Sequence, residues 1–201
     1  VLSLYDALIG VIDALLQHFD SLFIPCVTGN HGRTTRKPVA KDRTATNYDW
    51  LTYQLLERRY RTDKRVVFNV PDGPDCHYRI YNQRYLLTHG DQFRGGDGLI
   101  GPLGPITRGA HKKASRNAAL DLDFDTMVCG HFHQLMQLPS LIVNGSLKGY
   151  DEYAFAGNFR WERPAQGLWI THPEEGITFQ MPIYLDDQRQ HDAADWVSIK
   201  T

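Results

Sequence analysis

The sequence predicts an α/β chain built in layers, and three observations predict it. Helix-like and strand-like segments alternate through the first half, strand-like segments dominate the second, and short apolar runs repeatedly end on glycine. At 201 residues, 42% hydrophobic and 22% charged, the chain is long enough for one buried core and ordinary for a globular protein.

The elements follow in order. Leu4, Leu8, Val11, Ile12, Leu15, Leu16 and Phe19 recur at helical spacing, which predicts an amphipathic helix over 3–19. The apolar run Ser21–Thr28 reads as a buried strand closed by Gly29. Residues 32–46 are polar and basic and read as a loop. Tyr48–Arg61 reads as a helix capped by Asn47, with Leu51, Leu55 and Leu56 on its inner face. Arg65–Val70 is a strand, and Pro71-Asp72-Gly73-Pro74 a turn. His77–Tyr81 and Arg84–Thr88 read as paired strands. Residues 94–109 hold six glycines and two prolines and read as a long loop, with helix from there to about Leu120. Strands are expected at Thr126–Cys129, Leu135–Leu138 and Leu141–Val143, and a hairpin from Leu168–Thr171 and Ile177–Met181. One domain is expected over 1–185, followed by an acidic tail over 186–201.

Composition narrows the function classes. No run approaches the ~18–20 apolar residues of a membrane span. Asp6 and Asp13 interrupt the apolar opening stretch, which also lacks a basic leader and does not read as a signal peptide. Cys26, Cys76 and Cys129 are too few and too scattered for a disulfide framework; Cys26 and Cys129 sit in apolar runs and are expected as buried free thiols, in a reducing cytoplasm. The net charge of −1 hides a division. Residues 31–116 carry 17 basic and 8 acidic residues, a balance of +9, against −10 for the remainder. Such a division suits a surface that attracts anions.

Three segments share one design. Val27-Thr28-Gly29-Asn30-His31, Leu86-Leu87-Thr88-His89-Gly90-Asp91 and Met127-Val128-Cys129-Gly130-His131-Phe132-His133 each place metal-type ligands after an apolar strand and a turn. Strand C-termini on one sheet edge are where α/β folds build sites. Imidazole nitrogens and an amide oxygen suit manganese, iron, zinc or nickel rather than calcium. A lone Gly-Asn-His arises easily by chance; all three segments in this order do not. His18, His77, His111, His172 and His191 match no motif and read as structural.

In the order Gly-Asn-His, His-Gly-Asp, Gly-His-x-His, then Asn144-Gly145-Ser146, the chain resembles the calcineurin-like metallophosphoesterases over residues 1 to about 185. The resemblance implies an αββα sandwich and a dinuclear centre, with manganese the first expectation. It gives Asn30, His89 and His131 to the second metal, His133 to the first, and to His31 either a hydrogen bond to the scissile phosphate or the leaving-group proton. Two clamped metals would polarise phosphate oxygens and lower the pKa of a bridging water. The family's opening Asp-x-His and Gly-Asp-x-x-Asp do not occur here, so the domain is expected to be N-terminally truncated. This chain alone is then expected to bind at most one metal, with little turnover, and to self-associate through an exposed sheet edge.

Gly32 stands where many family members carry an acid, and the following loop is basic. Arg33, Arg36 and Lys37 are the expected substrate contacts, with Lys41 and Arg43 beyond them. Arg94, Arg108, Lys112, Lys113 and Arg116 form a second candidate wall. A polyanionic phosphoester follows, with DNA and the exonuclease branch the favoured expectation. A catalytically degraded remnant binding nucleic acid or a partner chain, and a small-molecule or nucleotide phosphatase, are the alternatives.

Overall fold

The computed structural model describes residues 1–39, 41–95, 101–156, 158 and 160–185. The acidic tail over 186–201 lies outside the described residues.

The chain opens with helix α1 (Leu2–Leu15), strand β1 (Leu22–Pro25), helix α2 (Tyr48–Tyr60) and strand β2 (Val66–Asn69). β1 and β2 pair in parallel, Leu22 opposite Val66 and Pro25 opposite Asn69. The two helices cover this ribbon through Ile12, Leu56, Tyr60 and Val66, with Tyr5, Leu8, Ile9, Leu22 and Ile24 packed around them.

Periodicity located both helices but misassigned part of their faces. Helix α1 ends at Leu15, short of Phe19, and Leu4, Val11 and Leu15 point to solvent. In α2 the buried positions are Thr52, Leu56 and Tyr60, while Leu51 is exposed. Spacing gives a stripe on the helix surface; the direction from which the ribbon approaches decides which edge of that stripe is covered. Asn47 does cap α2, accepting from the Asp49 backbone N–H at 2.8 Å. β1 is not the buried strand its composition suggests, since Phe23 is 44% exposed. Only alternate residues of that strand meet the helices.

The central sheet holds β3 (Asp75–Ile80), β4 (Gln83–Thr88), β5 (Thr126–Cys129), β6 (Met136–Leu138) and β7 (Leu141–Val143), in the order β3-β4-β5-β7-β6. β4, β5 and β7 run parallel, and β3 and β6 are antiparallel edges. All four residues of β5 are buried because both faces are covered. Leu86, Met127, Cys129, Leu141 and Val143 pack under helix α3 (Leu103–Ala118) through Ile106. Tyr85, Val128 and Ile142 face the other way, onto Trp169 and Ile177 of a hairpin formed by β8 (Ala165–His172) and β9 (Gly176–Tyr184). A short helix α4 (Glu152–Ala156) precedes that hairpin. The ribbon joins the sheet at β3, where the Asn69 side-chain amide donates to the His77 carbonyl and Phe23 packs on Tyr78. The fold is mixed α/β, with a central mixed sheet layered between helix and hairpin.

The expected loop over 94–109 is corrected, because α3 already begins at Leu103. Pro105 sits in its first turn, where its missing N–H breaks no helical bond. Gly104 and Gly109 are buried, and a Cβ at Gly109 would lie 2.2 Å from the Phe93 ring. These small residues mark close packing against an aromatic, which composition alone does not separate from loop.

Cys26, Cys76 and Cys129 are free and buried, and burial pushes their thiols up to about 12, 11 and 12 respectively. No helix among the described residues is long and apolar enough to cross a membrane.

Candidate metal centre

β4, β5 and β7 deliver their C-terminal ends to one edge of the sheet, and the ends are stitched together. The Gly130 N–H donates to the His89 carbonyl at 3.0 Å, and the Asn144 N–H to the Cys129 carbonyl at 2.6 Å. The segment after β1 approaches the same edge. There His89 Nε2 and His131 Nδ1 both donate to Asn30 Oδ1, at 2.8 and 3.2 Å. The two imidazole rings meet edge to face with centroids 5.1 Å apart. Three side chains from positions 30, 89 and 131 thus turn their donor atoms toward one point.

Burial, then the neighbouring His131, push the His89 imidazole down to about 4. His131 is also lowered, first by burial and then by the His133 and His31 charges, against the pull of Asp91. Both rings are therefore neutral near pH 7, the form in which a nitrogen lone pair can bind a metal. His131 and His133 hold left-handed backbone angles, φ 70° and 57°. Such conformations cost about 1–3 kcal/mol each in a non-glycine residue and gather at functional turns.

His133 lines a neighbouring cavity with Ser146, Lys148 and Asp151. Burial and then Lys148 lower its pKa, which Asp151 raises. His31 is exposed, and its charge acts on Asp49, His89, His131 and His133 together. It stands among these groups without being one of the three that converge.

The expected substrate contacts divide. Arg33 lines a small cavity with Asn30, Asn47 and Asp91, its Nε donating to the Thr35 carbonyl at 2.8 Å. Arg36 and Lys37 lie exposed farther along the loop and do not line that cavity. Arg43 turns inward. It donates to the Thr28 carbonyl at 2.8 Å, to Thr28 Oγ1 at 3.0 Å and to both oxygens of Asp91 at 3.0 and 3.1 Å. Burial pushes the Asp91 carboxyl up, but the Arg43 bonds and charge outweigh it and hold it below the usual range. Asn144 is structural: its amide donates to Gln166 Oε1 and accepts from the Gly167 N–H, tying β7 to β8.

Asp49 was not singled out in the sequence. It lies in the first turn of α2 and accepts the Gly29 N–H at 2.8 Å, fixing the turn that presents Asn30. Burial raises its carboxyl above the usual range against the pull of that bond and of His31. A Cβ at Gly32 would sit 2.3 Å from Asp49 Oδ1 and 2.4 Å from Asn47 Oδ1. Asp49 thus occupies the space a side chain at position 32 would need. Capping by Asn47 was the signal available, since it brings residue 49 against this turn. Gly32→Ala should cost about 1–3 kcal/mol by overpacking, read by urea denaturation. Unchanged stability would show that the Asp49 contact is not tight.

The donor set fits a single divalent transition metal: two neutral imidazoles and an amide oxygen, leaving positions for water or an anion. Among the described residues no group of three or more His, Cys, Asp and Glu side chains is placed to hold a metal. Of the nearby carboxylates, Asp91 is clamped by Arg43, while Asp49 accepts the Gly29 N–H through one oxygen.

No family model and no curated protein matches the chain. Among solved structures it is similar to Vps29 from Entamoeba histolytica complexed with zinc, at 17% identity, covering 87% of this chain and 88% of that one with a TM-score of 0.41. It is also similar to a single mutant of Vps29 from the same organism, at 19% identity, 83% and 99% coverage and a TM-score of 0.36. Vacuolar Protein Sorting 29 from Cryptosporidium parvum is similar at 14% identity, 82% and 97% coverage and a TM-score of 0.34.

Proposed function

We propose that this chain carries the metal- and phosphate-binding side of a metal-dependent phosphoesterase centre, acting on a phosphodiester of the nucleic-acid class. The observation that carries the reading is the convergence of Asn30, His89 and His131 through one shared oxygen. Those three residues would hold a divalent ion, with manganese first and iron, zinc or nickel as alternatives. Bound there, the ion supplies Lewis-acid stabilisation of charge on a phosphoryl oxygen. Asp49 and Asn47 hold the turn that presents Asn30. Arg33 offers a cation beside that residue. His31, exposed at the mouth, is the group available to protonate a leaving oxygen.

A second reading, a centre that binds metal and anion without turnover, is favoured by the occupied Asp91 carboxylate. Asp91 is not available to bridge ions or activate water while Arg43 holds both of its oxygens.

Titrating the purified chain with manganese and zinc, together with hydrolysis of a chromogenic phosphodiester, tests both readings. One ion per chain is expected, and Asn30→Ala should weaken its binding by at least about tenfold. If the centre turns over, His31→Ala should retain the ion and reduce turnover roughly 10²–10⁴-fold. Binding indifferent to Asn30→Ala would remove the proposed centre. Binding lost in His31→Ala would make that residue a ligand. Ion binding with no hydrolysis by the unmodified chain selects the second reading.

A further inference from the structure

A cavity of about 270 Å³ opens between the segment following β4 and helix α3, outside the Asn30 centre. Of the nine described residues that line it, five are cationic, Arg94, Arg108, Lys112, Lys113 and Arg116, and none of the nine is acidic. Phe93 forms part of its wall, packed so closely on Gly109 that the helix has no side-chain bulk there.

Four of the five cations, Arg94, Arg108, Lys112 and Arg116, are exposed, and Lys113 is buried. Lys113 is only 8% exposed and is held by Asp75 at 2.6 Å, and Arg116 reaches the other oxygen of that carboxylate at 2.6 Å. Asp75 thus anchors two cations while standing outside the cavity. Arg108, Lys112 and Arg116 occupy successive turns on one side of α3, about 6 Å apart along the axis. Like charges at that spacing oppose helix formation. A concave wall of one sign also concentrates its field on the space it encloses. An anion lying along the ridge meets that field.

We propose that this cavity is a binding site for an anion carrying two or more phosphates, distinct from the Asn30 centre. Its volume is at the low end for small-molecule sites, so it holds the phosphates and leaves any attached base outside. The shared chemistry, phosphates in a row, is supplied by a nucleoside polyphosphate or by a single strand of nucleic acid.

The test titrates the full chain with inorganic tripolyphosphate, ATP and a labelled oligothymidylate at two salt concentrations. Binding of at least one probe is expected, weakening as salt rises. The double variant Arg108→Gln/Lys112→Gln should bind about tenfold more weakly. Arg94→Gln, off the helix, should act in the same direction and decides the matter if the double variant fails to fold. Tighter binding of tripolyphosphate and ATP identifies a small ligand, and tighter binding of the oligonucleotide a strand; either supports the site. Asn30→Ala should leave affinity within about twofold, and so separates this site from the proposed metal centre. The proposal is overturned if no probe binds, if neutralising the ridge changes nothing, or if Asn30→Ala abolishes binding.

Discussion

Arg43→Met is expected to destabilise the protein by more than the ~1 kcal/mol of an exposed salt bridge, up to about 3–5 kcal/mol, the cost of stranding one member of a fully buried pair. Asp91 is 11% exposed and Arg43 22%, and the arginine also satisfies the carbonyl and hydroxyl of Thr28, itself 2% exposed. Methionine matches much of the stem and leaves all of these acceptors without the guanidinium. Arg43→Met/Asp91→Asn should recover part of the loss, since an amide costs less to bury than an unpaired carboxylate. Urea denaturation of both variants measures it. A loss below about 1 kcal/mol would place the pair in the class of exposed salt bridges and end its role as the clamp behind the centre.

Acidification should weaken the protein well before its carboxylates titrate. The His89 imidazole is pushed from 6.5 down to about 4, so the unfolded chain takes up a proton that the folded chain refuses. His131 is lowered too and adds in the same direction. Their contribution is complete above pH 6.5 and is lost as pH falls from 6.5 toward about 4. His89 alone accounts for roughly 3 kcal/mol over that window, at about 1.4 kcal/mol per unit. Asp49, raised by burial, works oppositely and offsets part of the loss at the acid end. Asp75 and Asp91, both lowered, lose their contributions only as pH falls below 3.8. Stability measured in chelator between pH 7.5 and 4.5 should therefore slope steeply, and His89→Gln should flatten it. A flat profile for the unmodified protein would mean that His89 is solvated enough to protonate normally.

The strand-end motifs were legible because each combines a local signal, an apolar run ending in a tight turn, with residue types that suit one chemistry. Convergence of Asn30, His89 and His131 follows once the strands carrying two of them run parallel. What stayed hidden depends on approach between distant segments. Asp49 reads as an ordinary first-turn acid until α2 is docked on Gly29. Arg43 reads as one more basic loop residue until Asp91, 48 positions away, receives it. The start of α3 was obscured because Gly104, Pro105 and Gly109 are there for contact rather than for turning. Helix faces failed for a related reason: Leu51 and Leu56 share a stripe, and only the position of the ribbon separates them.

The oxygen shared by His89 and His131 also dictates where two protons reside. An amide oxygen can only accept, so the tautomers that make these two bonds in the metal-free centre carry hydrogen on Nε2 of His89 and Nδ1 of His131. The two neutral rings are therefore opposite tautomers. A cation entering between them requires each hydrogen to leave for the far nitrogen of its ring, through solvent or through a neighbour. Each ring stays neutral throughout, so uptake exchanges tautomers without changing net charge. Nitrogen-15 chemical shifts of the two imidazoles should trade places within each ring as the cation loads.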